Sequence, residues 1–181
     1  MRFCNGIGSA LSALGEYVGK ACYHPLLGPG AHRLTLTEAR SLCVEAFSTS
    51  ARRPALFAEL LRLLDFLAQF PISLSLWLDG SYLTEKIEPD DIDVVVEFWA
   101  DEAGTLDPTA VEPIFILNGE KQFSPVLDTY LCVRFLREDP RSHADKRDYW
   151  AGVWGKGWDG WLKGYAIVAI GESDVQRRII A

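Results

Sequence analysis

Two aspartates one residue apart, Asp91 and Asp93, stand at the start of the apolar run Ile92 to Val96, and the pair Gly80-Ser81 lies ten residues upstream. Strand side chains alternate between faces, so Asp91, Asp93 and Val95 share one face while Ile92, Val94 and Val96 form the natural core face. The two carboxylates then project together, placed to bind one hard cation jointly or two cations roughly 3.5–4 Å apart. Gly80 lets the backbone approach a phosphate, and the Ser81 hydroxyl with nearby N–H groups donates to its oxygens. The third carboxylate needed for two metals is Asp128, which interrupts the apolar run Val126 to Leu131. A charge there is costly unless it is paired or metal-bound. On this reading Asp91 and Asp93 hold the metals, and Asp128 completes the set and accepts the proton of an attacking hydroxyl. A D-x-D pair alone more often marks a solvated strand end. Here the Gly-Ser turn and the later aspartate argue against that.

These groups need a sheet to hold them. Leu74 to Leu78, with Leu74, Leu76 and Leu78 on one face, reads as the strand that ends in the Gly80-Ser81 turn. Ile92 to Phe98, Val126 to Phe135 and Tyr165 to Ile170 read as three more strands. Thr35-Leu36-Thr37-Glu38 matches a capping box, so a helix is expected from about Thr37 to Phe47. Pro54 suits the first turn of a second helix, whose stripe Leu56, Phe57, Leu60, Leu61, Leu64, Leu67 and Ala68 recurs at helical spacing until Pro71 ends it. Pro108 to Asn118 reads as a short helix, a strand or both. The order of elements argues for an α+β (mixed α/β) fold. Residues 1–34 read as an N-terminal arm of uncertain order, with a helix over Ser9 to Cys22 and loop chemistry from His24 to Gly30, and residues 35–181 as one domain.

Composition sets the class of partner. A chain of 181 residues should bury roughly 70% of its unfolded surface. Its 49% hydrophobic and 24% charged residues are those of a globular protein. The apolar stretches are too short for a bilayer span, so no membrane association is expected. The N-terminus is a poor secretory signal, and Cys4, Cys22, Cys43 and Cys132 lack zinc or disulfide spacing, which makes a reducing cytoplasm the expectation. A net charge of −7 repels a phosphate backbone and disfavours extended nucleic-acid binding. A small anion held through metal ions stays compatible.

The segment Leu78 to Val96, with Gly80-Ser81 before Asp91-Ile92-Asp93, resembles the signature of the polymerase-β-like nucleotidyltransferase superfamily. More narrowly it is similar to the small bacterial nucleotidyltransferase-like proteins of the family DUF6932, as is the end of the chain from Tyr149-Trp150 through Lys163-Gly164 to the last strand. The resemblance implies a mixed sheet flanked by helices, Mg²⁺ or Mn²⁺ as cofactor, and transfer of a nucleoside monophosphate from a nucleoside triphosphate to a protein or small-molecule hydroxyl. By position, Gly80 and Ser81 match the triphosphate turn, Asp91 and Asp93 the metal pair, and Asp128 the third carboxylate. Minimal members commonly carry Ala-Arg-Gly after Gly-Ser, whereas Leu83-Thr84-Glu85 stands here, and Lys86 is the phosphate contact in its place. Glu85, Glu88 and Asp90 crowd the same loop, so triphosphate affinity without metal should be poor.

Two other features carry alternatives. Trp150, Trp154, Trp158 and Trp161 fall at near-helical spacing among glycines, a base-stacking flap or, more simply, core and subunit contact. The charged stretch Asp139 to Asp148 reads as a solvated face, with Arg141, Lys146 and Arg147 as alternative phosphate or partner contacts. Three functions follow: a nucleotidyltransferase, a catalytically silent nucleotidyltransferase-like module that binds a nucleotide or a protein partner in a toxin-antitoxin or defence pair, and a metal-using phosphate hydrolase.

Overall fold

The computed structural model describes residues 2–3, 21–157 and 160–170. Strands β1 (Arg2–Phe3) and β2 (Ala21–Cys22) pair antiparallel in a small sheet of their own. The helix expected over Ser9 to Cys22 otherwise lies outside the described residues. Strand β3 (Gly30–Arg33) falls within the expected arm, yet it pairs with the main sheet as an edge strand. Four polar and small residues gave it no alternation to read.

Thr35 then starts helix α1 (Leu36–Cys43) through the expected reciprocal box. The Glu38 N–H donates to Thr35 Oγ1 at 3.2 Å, and the Thr35 N–H donates to the Glu38 carboxylate at 2.7 Å. A 3₁₀ turn over Glu45–Phe47 completes the expected span. Helix α2 (Arg52–Leu67) carries Pro54 in its first turn and stops before Pro71. It buries Leu56, Phe57, Leu60, Leu63, Leu64 and Leu67, each worth about 1.5–3 kcal/mol when fully buried.

Next come β4 (Leu74–Asp79), β5 (Ile92–Trp99), the short helices α3 (Ala100–Gly104) and α4 (Pro108–Val111), and a 3₁₀ segment, Glu112–Leu117. The region left open between helix and strand is therefore helical. Strands β6 (Gly119–Ser124) and β7 (Leu127–Arg134), helix α5 (Arg147–Trp154) and β8 (Gly164–Ile170) follow. The main sheet is mixed, in the order β3-β8-β4-β5-β7-β6. Pairs β3/β8 and β5/β7 are parallel, and the other neighbours are antiparallel. This is an α+β fold.

The two sheet faces follow from strand alternation. Leu74, Leu76, Leu78, Ile92, Val94, Val96 and Val168 pack with the α1 and α2 side chains in the main core. The opposite face presents Trp77, Val95, Cys132, Tyr165 and Ile167, covered by Trp150, Ala151 and Trp154 of α5. Trp77 stacks on Tyr165 with centroids 5.2 Å apart. Trp150 and Trp154 are thus helical and inward, as the simpler reading expects. Trp161 follows the helix in a tight return closed by the Lys156–Leu162 bridge and is 76% exposed. Trp158 lies outside the described residues. No helix among them is long and apolar enough to cross a membrane.

Candidate functional site

Where β4 ends and β5 and β7 begin, backbone register puts three aspartates in one row. Asp79 pairs with Asp93, and Asp93 pairs with Asp128. Each lies two residues from a member of the second-face cluster, Trp77, Val95 and Tyr130 respectively, so all three belong to that face. Like charges directly opposite across strands are destabilising, and at Asp79 the ammonium of Lys163 offsets part of that cost.

The turn after β4 is shaped around this row. Gly80 has φ +78°, and a Cβ built on it would lie 2.0 Å from Asp93 Oδ2. The missing side chain lets the Asp93 carboxylate rest against the turn, and the positive φ suits glycine. Gly80 opens a 3₁₀ turn to Leu83, whose carbonyl at Ser81 accepts from the Thr84 N–H and from Thr84 Oγ1. Gly80→Ala is expected to lower the unfolding free energy by about 1–3 kcal/mol through left-handed strain and displacement of Asp93. Urea titration reads this directly, and a change within about 0.5 kcal/mol would refute the close fit.

The loop from Tyr82 to Asp90 is held from two sides. Arg53 of α2, fully buried, donates Nε to Lys86 O, Nη1 to Cys43 O and Tyr82 O, and Nη2 to Thr84 O and Lys86 O. Its guanidinium also lies 3.6 Å from the Phe47 ring centroid. Glu88 accepts from the Ser50 hydroxyl and the N–H groups of Ala51 and Arg52, so a distant carboxylate caps α2 where no local side chain does. On the other side, Leu26 N donates to Leu83 O and Glu85 N to His24 O.

The expected residues are distributed as follows. Gly80, Asp93 and Asp128 come together. Asp91, just before β5, faces Lys121 of β6, with Nζ 3.5 Å from its Oδ2. Lys86 does not reach toward the turn: its ammonium pairs with Asp90. Arg141 is bound to Asp139, and Arg147 lies against Glu97 beside Arg134, at the far end of the second face. Two residues of the site escaped the sequence reading, Asp79 and Lys163. Asp79 is 4% exposed, and Lys163 Nζ lies 2.8 Å from both of its carboxylate oxygens. Burial pushes the Asp79 carboxyl up to about 7, opposed by the Lys163 ammonium and reinforced by Asp93. Strand alternation after Leu78 already placed Asp79 opposite the core face. Its partner, 84 residues away, left no sequence signal.

The donor set of this strand end is all carboxylate, the chemistry of a hard divalent cation rather than zinc or copper. Among the described residues no three Asp, Glu, His or Cys side chains are drawn together as ligands of one ion. Ligation of one ion by Asp91, Asp93 and Asp128 would require these carboxylates to turn toward one another, Asp91 away from Lys121.

Compared with known proteins, residues 21–169 match the family model of DUF6932, described as a family of unknown function. No curated protein and no solved structure matches the chain.

Proposed function

The chain belongs to DUF6932, and for this member we propose a metal-dependent nucleotidyltransferase of the polymerase-β-like kind. The observation that carries the reading is the register Asp79–Asp93–Asp128 at a strand end, with Gly80 shaped to the Asp93 carboxylate. Carboxylates gathered at a strand end are the donor type that a hard divalent cation takes. Asp93 and Asp128, with Asp91 once it turns from Lys121, would hold the cation, Mg²⁺ or Mn²⁺, which would supply screening of the triphosphate and of the charge developing during transfer. Gly80 and Ser81 present the turn to the phosphates. Asp128 accepts the proton of the attacking hydroxyl as its oxygen bonds to the α-phosphorus. The bond from that phosphorus to the oxygen bridging the β-phosphate breaks, and pyrophosphate leaves.

A second reading is a silent nucleotide- or partner-binding module. Two ion pairs favour it: Lys163 on Asp79 and Lys121 on Asp91 already supply positive charge to the carboxylates. The two readings separate when the full chain is incubated with each α-labelled nucleoside triphosphate, Mg²⁺ or Mn²⁺, and a host extract. Metal-dependent label transfer to a protein or small molecule is the expected result. Binding without transfer establishes the module, release of phosphate without a labelled acceptor establishes a hydrolase, and no binding at all sinks the nucleotide reading.

A further inference from the structure

Lys163 enters β8 with its backbone held on both sides. Its N–H donates to Gly155 O at 3.0 Å, and its carbonyl accepts from the Gly30 N–H at 3.3 Å. From this fixed point the side chain, 17% exposed, carries its ammonium to Asp79, the residue directly before Gly80 and the register partner of Asp93. A positive charge therefore stands beside the turn, at one end of the carboxylate row. Among the described residues, the other cations of the region are engaged elsewhere. Arg53 is turned into backbone carbonyls, Lys86 is bound to Asp90, Arg52 donates to Asp90 O, and Lys121 faces Asp91 from β6.

Resting on the nucleotide reading above, we infer that Lys163 is the triphosphate-binding cation of the site, with Asp79 as the residue that positions it. The loop after Gly80-Ser81 carries no arginine, so a triphosphate at this turn needs a cation from elsewhere in the fold. An ammonium has three N–H donors. Asp79 takes two of them, and among the described residues no other acceptor takes the third. A compact ammonium on a flexible four-carbon stem suits a phosphate oxygen as a point charge. Asp79 holds it directly beside the glycine turn.

The test is binding of ATP, GTP, CTP and UTP with Mg²⁺, and of the matching monophosphates, to the full chain by calorimetry. Lys163→Met alone leaves a buried carboxylate uncompensated and so confounds binding with folding, and the decisive comparison is Asp79→Asn against the double variant Asp79→Asn, Lys163→Met. Both lack the buried negative charge, and the double variant replaces an ion pair by neutral groups of similar volume. The double variant is expected to bind the preferred triphosphate at least about tenfold more weakly than Asp79→Asn, with no comparable change for the monophosphate. Equal triphosphate affinity in the two variants overturns the role of Lys163 while leaving the nucleotide reading intact. Wild-type protein that binds none of the four triphosphates overturns that reading and this inference together.

Discussion

Replacing Arg53 by methionine is expected to lower the unfolding free energy by roughly 3–5 kcal/mol, a large fraction of a typical domain's total. Arg53 is fully exhausted by the fold: its guanidinium N–H groups end on the carbonyls of Cys43, Tyr82, Thr84 and Lys86, and its plane covers Phe47. Methionine fills much of the volume but leaves four buried or half-buried carbonyls without these donors, each lost bond costing about 1–3 kcal/mol where water cannot enter. Arg53→Lys retains the charge and loses the planar fork, so it should recover only part of the loss. Urea unfolding of the three proteins at one pH provides the measurement. A loss below about 1 kcal/mol in Arg53→Met would mean that the loop rearranges or hydrates and that Arg53 is not its clamp. Because Thr84 and Lys86 lie between Gly80-Ser81 and Asp91, the same substitution should loosen the Gly80-Ser81 turn relative to the D-x-D strand.

Asp93→Asn should show the opposite signature, activity lost with the fold kept. Asp93 stands between Asp79 and Asp128 in register. Asparagine preserves the shape that rests against Gly80. Stability is expected to stay within about 1 kcal/mol of wild type. On the proposed reaction, label transfer from the nucleoside triphosphate is expected to fall at least about 100-fold, because the proposed central cation ligand is gone. A kept fold against such a loss marks a residue retained for its chemistry rather than its packing. Unchanged transfer in Asp93→Asn removes the carboxylate row from the proposed reaction. A marked loss of stability would instead make Asp93 a structural residue.

Local chemistry made several elements legible before any tertiary contact. Thr35 and Glu38 are three residues apart, and a capping box needs nothing else. The α2 stripe and the alternation of Leu74, Leu76 and Leu78 specify which side of each element is inward, since burial repeats with the period of the backbone. Leu63, also buried, widens that stripe beyond the residues expected. The edge strands β3 and β6 were missed for the complementary reason. Gly30–Arg33 and Gly119–Ser124 are short and mostly polar, so their strand state comes from a neighbour's hydrogen bonds rather than from their own pattern.

The carboxylate site divides along the same line. By itself the sequence determined the Gly80-Ser81 turn at the end of one strand, the aspartates at the start of another and Asp128 within a third, because each depends only on residue type and on the two-residue period of a strand. Only the tertiary structure decided that Asp79 joins Asp93 and Asp128 in one row, that Lys163 and not Lys86 brings the ammonium to it, that Lys121 faces Asp91, and that Arg53 clamps the loop. Those pairings join residues far apart in the chain, and strand order and register, set by how the whole core packs, are what bring their charges within reach of one another.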